Sequence, residues 1–232
     1  MSKHSIALLF FLSPVAVAEP AVQSALLPAV TIASEHRFNG LSLTDRNPAL
    51  QLSLHYWRSD GWYAGVWMTN VNFLDAHNTT LEVDTYVGSE VRAGSWRVKI
   101  QGLYSAFDDH EPGPAYDFFQ AKVEGSRTCG KTTLIAGVKW SPSGSFGAGR
   151  IVQMQGQLRY ALTPWLDAEA SLGRGFYARS NERTYWQTGL HARWRRMHFE
   201  LLYMGLRSDL PLCGFVDWCE PGFVGRITLA TY

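Results

Sequence analysis

From residue 31 onward, apolar and polar side chains alternate with a period of two. Val152, Met154, Leu158, Tyr160 and Leu162 share one parity, and Gln153, Gln155, Gln157 and Arg159 share the other. Leu166, Ala168, Ala170 and Leu172 oppose Asp167, Glu169 and Ser171 in the same way. Trp96, Val98, Ile100 and Tyr104 oppose Arg97, Lys99 and Gln101, while Trp186, Leu190, Ala192 and Trp194 oppose Gln187, His191, Arg193 and Arg195. Successive side chains of an extended chain point to opposite faces, so this period predicts strands with one apolar and one polar face. Read along the chain, it predicts twelve strands, at 31–42, 48–57, 62–71, 80–91, 96–107, 116–124, 131–140, 151–161, 165–173, 185–194, 197–206 and 222–231. Most run about ten residues, longer than the usual five or six.

The connections alternate too. Arg58-Ser59-Asp60-Gly61, Arg92-Ala93-Gly94-Ser95, Leu162-Thr163-Pro164 and Arg195-Arg196 are short, whereas 72–79, 108–115, 141–150, 174–184 and 207–221 are longer and looser. That is the pattern of an all-β, transmembrane antiparallel β-barrel, with tight periplasmic turns, longer extracellular loops and both termini on the periplasmic side. A soluble sandwich would carry the same alternation with the apolar face turned inward. Strand length favours the barrel, because about 9–11 tilted residues cross the hydrocarbon. Rings near strand ends, at Trp57, Trp62, Tyr63, Trp96, Trp140, Trp165, Trp186 and Trp194, are expected to form interfacial girdles.

Composition agrees. Of 232 residues 18% are charged, below the roughly 25% of an average soluble domain, and 9 Trp, 10 Tyr and 12 Phe make the chain ring-rich. That content excludes disorder. A net charge of +1 gives no reason to expect a nucleic-acid partner. Lys3 and His4, the apolar run Ile6–Leu12 and the ending Val15-Ala16-Val17-Ala18 form the three parts of a secretory signal. The expected organisation is therefore a signal peptide over 1–18, a periplasmic segment over 19–30 and the barrel over 31–232. Export permits disulfides. Cys213 and Cys219, six apart in a loop-like segment, are expected to pair, with free thiols as the alternative; Cys129 stands alone.

Residues 32–73 carry three recognisable pieces: Ile32-Ala33-Ser34-Glu35-His36-Arg37-Phe38-Asn39-Gly40-Leu41-Ser42, Pro48-Ala49-Leu50-Gln51, and Gly61-Trp62-Tyr63-Ala64-Gly65-Val66-Trp67-Met68-Thr69-Asn70 running on to Phe73. They resemble the TorF-type porin family, which opens with a Tyr-Arg-Phe-Arg-Gly-like strand and a Gly-Phe-Tyr-Ala-Gly-Val-Trp-like strand. The acidic strand Leu81-Glu82-Val83-Asp84-Thr85-Tyr86-Val87-Gly88 and the two cysteines before the final strand are similar to that family as well. The resemblance implies an outer-membrane barrel of porin type. Asn39 stands where the family usually has a second Arg, so no constriction role is carried over to it. Tyr232 ends the chain on an aromatic, yet Phe223, Ile227 and Leu229 have the opposite parity, which weakens that assembly signal or requires a bulge.

Gly125-Ser126-Arg127-Thr128-Cys129-Gly130-Lys131-Thr132 fits the phosphate-loop pattern. That loop works only between a strand and a helix. Here alternation continues through Leu134, Ala136, Val138 and Trp140, so the segment reads as a turn. Seven scattered histidines suggest neither a nucleophile and its base nor a metal site, and the sequence calls for no enzyme activity and no cofactor.

Charge placed on the lipid side costs roughly 2–4 kcal/mol per Arg or Lys at the midplane. The polar parity must therefore face inward. This assigns Glu35, Arg37, Glu82, Asp84, Arg97, Lys99, Lys122, Arg159, Asp167, Glu169, His191, Arg193 and Glu200 to the lumen. Glu82 and Asp84 are expected opposite Arg97 and Lys99. The functional expectation is a narrow porin-like channel for passive passage of small solutes in a Gram-negative outer membrane. The expected partners are outer-membrane lipid and lipopolysaccharide, the solutes, and the barrel-assembly machinery during biogenesis. The alternatives are a non-conducting structural or interaction barrel and a lipid-modifying enzyme.

Overall fold

The structure is a computed structural model that describes residues 23–74, 78–108, 116–144, 147–209, 213 and 216–231; the signal over 1–18 and Tyr232 lie outside the described residues. Among these, twelve long strands close into one antiparallel barrel. In chain order they are β1 (Ser24–Ala33), β4 (Ala49–Arg58), β5 (Trp62–Asn70), β6 (Leu81–Ala93), β7 (Trp96–Phe107), β8 (Phe118–Cys129), β9 (Thr132–Ser141), β10 (Ile151–Thr163), β11 (Leu166–Tyr177), β12 (Arg183–Trp194), β13 (Met197–Ser208) and β14 (Gly222–Ala230). Two short strands, β2 (Arg37–Phe38) and β3 (Leu41–Ser42), form a separate hairpin. Each long strand pairs with its sequence neighbour, and β1 pairs with both β4 and β14 to close the ring. At that seam the Thr31 and Thr228 hydroxyls hydrogen-bond at 2.7 Å. Closure leaves the twelve-stranded sheet without a free edge.

The alternation is inverted relative to a soluble protein. On β10, Met154, Leu158, Tyr160 and Leu162 are exposed to the outside, while Gln153 is buried within. Val87, Ile100, Val123, Leu134, Leu172, Leu190, Leu201 and Ile227 continue the same exposed apolar band around the barrel. A patch of this extent far exceeds the few hundred Å² usual on a soluble monomer. It is a lipid-facing surface, and the barrel is of the transmembrane type. Trp62, Trp96, Trp165 and Trp194 ring the end that carries the short turns. Tyr104, Phe119, Trp140, Phe176 and Phe223 lie exposed toward the end that carries the long loops. The girdle assignment fails for Tyr63, which is 8% exposed, whereas Trp57, its partner in register, is 40% exposed at the turn end of β4.

The first strand is displaced from its expected place. It covers Ser24–Ala33 instead of 31–42, so residues 24–30 belong to the barrel. Leu26, Val30 and Ile32 do alternate outward there, but Pro28 interrupts them and hides the run. Proline lacks a ladder donor, and pairing with β14 accordingly spans only Ala29–Ala33. No bulge interrupts β14 between Gly222 and Ala230. The segment matching the phosphate-loop pattern is the β8–β9 hairpin turn, with Cys129 opposite Thr132.

Candidate functional site

Between β1 and β4 the chain folds into the barrel instead of forming another wall. Asn39 and Gly40, with φ of 51° and 83°, make a two-residue turn between β2 and β3. Both values lie in the left-handed region that Asn and Gly tolerate, which is why Asn-Gly is a strong hairpin signal. The hairpin crosses the lumen. A side chain at Gly40 would meet the Gly205 carbonyl oxygen on β13 at 2.4 Å, and on the other side Lys139 Nζ of β9 sits 5.2 Å from the Phe38 ring centroid.

Buried polar groups hold this plug. Arg37 is 3% exposed; its Nε faces Glu35 Oε1 at 2.9 Å, and Nη1 donates to the carbonyls of Gly40 at 3.1 Å and Glu220 at 2.6 Å. Trp218 Nε1 donates to Asp45 Oδ1 at 2.8 Å, and the Arg46 guanidinium reaches Asp217 at 2.9 Å. Cys213 and Cys219 are disulfide-bonded, as the loop spacing leads one to expect. Cys219 packs with Tyr185 and Leu206, and Leu41 of the plug rests on that cluster. Above it, Leu43, Val71, Phe73, Tyr116 and Trp218, drawn from four different loops, form an apolar core at the loop end. The barrel is thus capped by its loops and plugged by its first one.

Toward the turn end, the wall of β10 to β14 carries an ion-paired network. Glu169, with its side chain 1% exposed, accepts from Gln157 and Gln187 at 2.6 Å each and from Arg159 at 3.2 Å. His191 Nε2 lies 2.9 Å from the same carboxylate, and its Nδ1 lies 3.2 Å from Glu200 Oε1. Arg226 then reaches Glu200 at 3.2 Å, and Arg193 reaches Asp167 at 3.1 Å. The register explains the chain of contacts. Asp167, His191, Glu200 and Arg226 stand in one row across four adjacent strands. Buried charges must be paired and hydrogen-bonded, and this row supplies both.

Beside the plug lies a cavity of about 730 Å³. Phe38, Trp67, Phe73, Phe107, Phe118 and Trp218 contribute aromatic surface to it. Its charged groups are Glu82 and Asp84 on β6, Lys122 on β8, Lys139 on β9, Arg179 between β11 and β12, and Arg183 on β12. A smaller space of about 130 Å³ continues toward the turn end and shares Lys122, Lys139 and Gln153 with it.

The sequence-assigned lumen residues fall into four groups, with Lys122 among those lining the cavity and Arg97 and Lys99 apart near the turn end. Arg159, Asp167, Glu169, His191, Arg193 and Glu200 come together in the network. Glu82 and Asp84 line the cavity, where Glu82 faces His36 of the plug at 3.5 Å. Glu35 and Arg37 lie inside the barrel, but on the plug and not on a wall. The expected pairing of Glu82 and Asp84 with Arg97 and Lys99 is wrong. Across an antiparallel hairpin paired positions diverge equally from the turn, so Glu82 opposes Phe107 and Asp84 opposes Ser105. Arg97 and Lys99 instead each approach Glu90 at 3.3 Å, near the turn end. Gln157, Gln187, Arg226, Lys139 and Arg183 were missed as site residues. Arg226 and Lys139 are legible from parity alone, and Asn39-Gly40 flags the plug.

The barrel overlays on solved structures at low identity. A chain from a study of the in-meso crystallization of membrane proteins aligns with a TM-score of 0.53 and 9% identity, covering 89% of this chain and 83% of that one. LpxR from Salmonella typhimurium aligns with a TM-score of 0.50 and 8% identity, over 89% of this chain and 99% of that one. An outer-membrane channel from Pseudomonas putida F1 aligns with a TM-score of 0.48 and 10% identity, over 95% of this chain and 99% of that one. No curated protein matches the chain. These likenesses concern the fold. The family model for the bacterial proteins of unknown function called Gcw_chp matches residues 17–219, and the chain belongs to that family.

Proposed function

We propose that the protein is a porin-like channel of the Gram-negative outer membrane that passes small solutes by diffusion through a lumen narrowed by its first loop. The observation that carries this reading is the cavity beside the plug together with its continuation along β8, β9 and β10 toward the turn end. Polar and charged side chains, among them Lys122, Glu124, Lys139 and Gln153, line that route, while the outer surface is apolar. The resemblance of residues 32–73 to TorF-type porins supports the same reading. The short turns then face the periplasm and the capped loops face outward, in the usual orientation of such barrels.

The test is planar-bilayer recording of the full chain refolded in detergent, with heat-modifiability on gels as the fold check. Discrete small steps of conductance are expected. A folded barrel that conducts nothing under any salt overturns the channel reading in favour of a structural barrel.

A further inference from the structure

The cavity carries an asymmetry that a water-filled pore does not need. Four cations and two carboxylates line it. Lys122 is paired with Glu124 at 2.6 Å. Among the described residues no carboxylate lies within ion-pair reach of Lys139, Arg179 or Arg183. Lys139 instead lies over the Phe38 ring, and the Arg183 guanidinium lies 4.3 Å over the Tyr177 ring. The register brings the two cations together. Lys139, Gln153, Gly175 and Arg183 form one row across β9, β10, β11 and β12. Three strand spacings of about 4.8 Å separate the ends of this row by roughly 14 Å along the wall, so a shared anion is one on which the two long side chains converge from the curved wall into the lumen. Gly175 leaves room for the Tyr177 ring, since a side chain there would meet that ring at 2.7 Å. The Tyr177 hydroxyl in turn accepts from Gln153 Nε2 at 3.0 Å.

The opposite side of the same space is aromatic. Trp67, Asp84, Ser105 and Phe118 make the matching row across β5, β6, β7 and β8, and Phe38 of the plug projects between the two walls. Cations without a direct ion pair on one wall, Lys139 feeling Asp84 and Glu124 only through space, and ring faces beside Glu82 and Asp84 on the other favour a ligand with an anionic head and a flat apolar body.

We propose that this cavity binds small aromatic carboxylates, the carboxylate held by Lys139 and Arg183 and the ring packed against Phe38 and Trp67. The inference deepens the channel reading by naming its solute class, and it rests on that reading for the ligand's route of entry. Binding itself is measured without transport. A charge-assisted hydrogen bond is worth about tenfold in affinity, so loss of either cation has a readable effect.

The experiment is calorimetric titration of the refolded full chain with 3-phenylpropionate, alongside phenethylamine, 3-phenylpropanol, propionate and phenylalanine. The carboxylate with a ring is expected to bind about tenfold more tightly than the amine, the alcohol or the ringless acid. Lys139→Gln and Arg183→Gln should each weaken it about tenfold, Lys139→Arg should restore it, and Arg92→Gln on the exposed turn end should leave it unchanged. Equal or tighter binding of phenethylamine overturns the proposal, as does tighter binding of phenylalanine, which would identify a zwitterion site using Asp84. No binding to a heat-modifiable barrel, or binding unmoved by Arg183→Gln when Lys139→Gln fails to fold, also overturns it. Binding without conductance leaves this inference standing and removes the channel reading; conductance without binding does the reverse.

Discussion

Arg37 and Glu220 are separated by 183 positions, yet the Arg37 guanidinium donates to the Glu220 backbone carbonyl at 2.6 Å. That bond joins the first loop, folded inside the barrel, to the last loop, which covers it. Because Arg37 also holds Glu35 in a site closed to water, the plug is fastened at its own base and to its lid by one side chain.

Replacing Arg37 with Met should therefore free the plug without unfolding the barrel. Removing one partner of a buried pair costs about 3–5 kcal/mol, because the other charge is left unpaired. The cost falls on the hairpin, since the long strands keep all their ladder bonds. Expected are larger conductance steps or faster current noise with unchanged heat-modifiability. Unchanged steps in a folded Arg37→Met barrel would show that the hairpin does not limit the lumen.

The disulfide clamps the same lid. Closing a loop of six-residue separation stabilises by about 2 kcal/mol in the chain-entropy account, and Cys219 additionally packs on Tyr185 and Leu206. The double change Cys213→Ser with Cys219→Ser is expected to leave the barrel assembled and to lower its thermal midpoint by a few degrees. Unreduced peptide mapping of the parent should find one link within 207–221 and none to Cys129. An unchanged midpoint in the double variant would mean that the clamp contributes nothing.

How much of this was legible depends on which side of the wall a residue lies. Eleven of the twelve long strands sit where alternation puts them, because lipid on one side and polar lumen on the other impose a strict period of two. Leu158 and Arg159 could be assigned to opposite faces from parity alone. The plug obeys no such rule. Glu35, His36 and Arg37 are all buried in succession, since protein surrounds the hairpin on every side, and periodicity carries no signal there. The alternation of residues 31–33 predicts a strand that the plug does not continue, and the Asn39-Gly40 turn is the local clue that outweighs it. The mispairing of Glu82 with Arg97 has a different origin. Which strands are neighbours was known, but partner positions follow from the turn at Gly94, and counting outward from it gives Glu90 and Lys99 as partners.

A loop-end carboxylate makes the cap sensitive to acid. Asp108 accepts from Thr80 N–H at 2.7 Å, the Thr80 hydroxyl at 2.7 Å and Leu81 N–H at 2.8 Å. Partial burial pushes its pKa up, but these bonds to the charged form outweigh that and hold it below the ordinary 3.8. A depressed carboxylate contributes stability above its unfolded value and loses it as pH falls through the lower folded value. Amide exchange protection at Thr80 and Leu81 should thus persist to about pH 4 and decline below it. Asp108→Asn should show the lower protection at neutral pH. Protection independent of pH between 2 and 5 would contradict the assignment.

The two faces of β10 offer the sharpest test of the membrane orientation. Leu158 is 45% exposed on the outer surface, and Arg159 next to it donates to Glu169 at 3.2 Å inside. Leu158→Arg places a charge toward lipid and should reduce folding yield in bilayers by roughly the 2–4 kcal/mol midplane cost. Arg159→Gln leaves Glu169 with Gln157, Gln187 and His191 as donors, so the barrel should still assemble while conductance or ion selectivity changes. Folding yield and conductance are measured on both variants. Normal folding of Leu158→Arg together with failure of Arg159→Gln would mean that the apolar face is turned inward. The chain would then be a soluble barrel, and the lipid-facing band inferred from Met154, Leu158, Tyr160 and their neighbours would be an interface with protein.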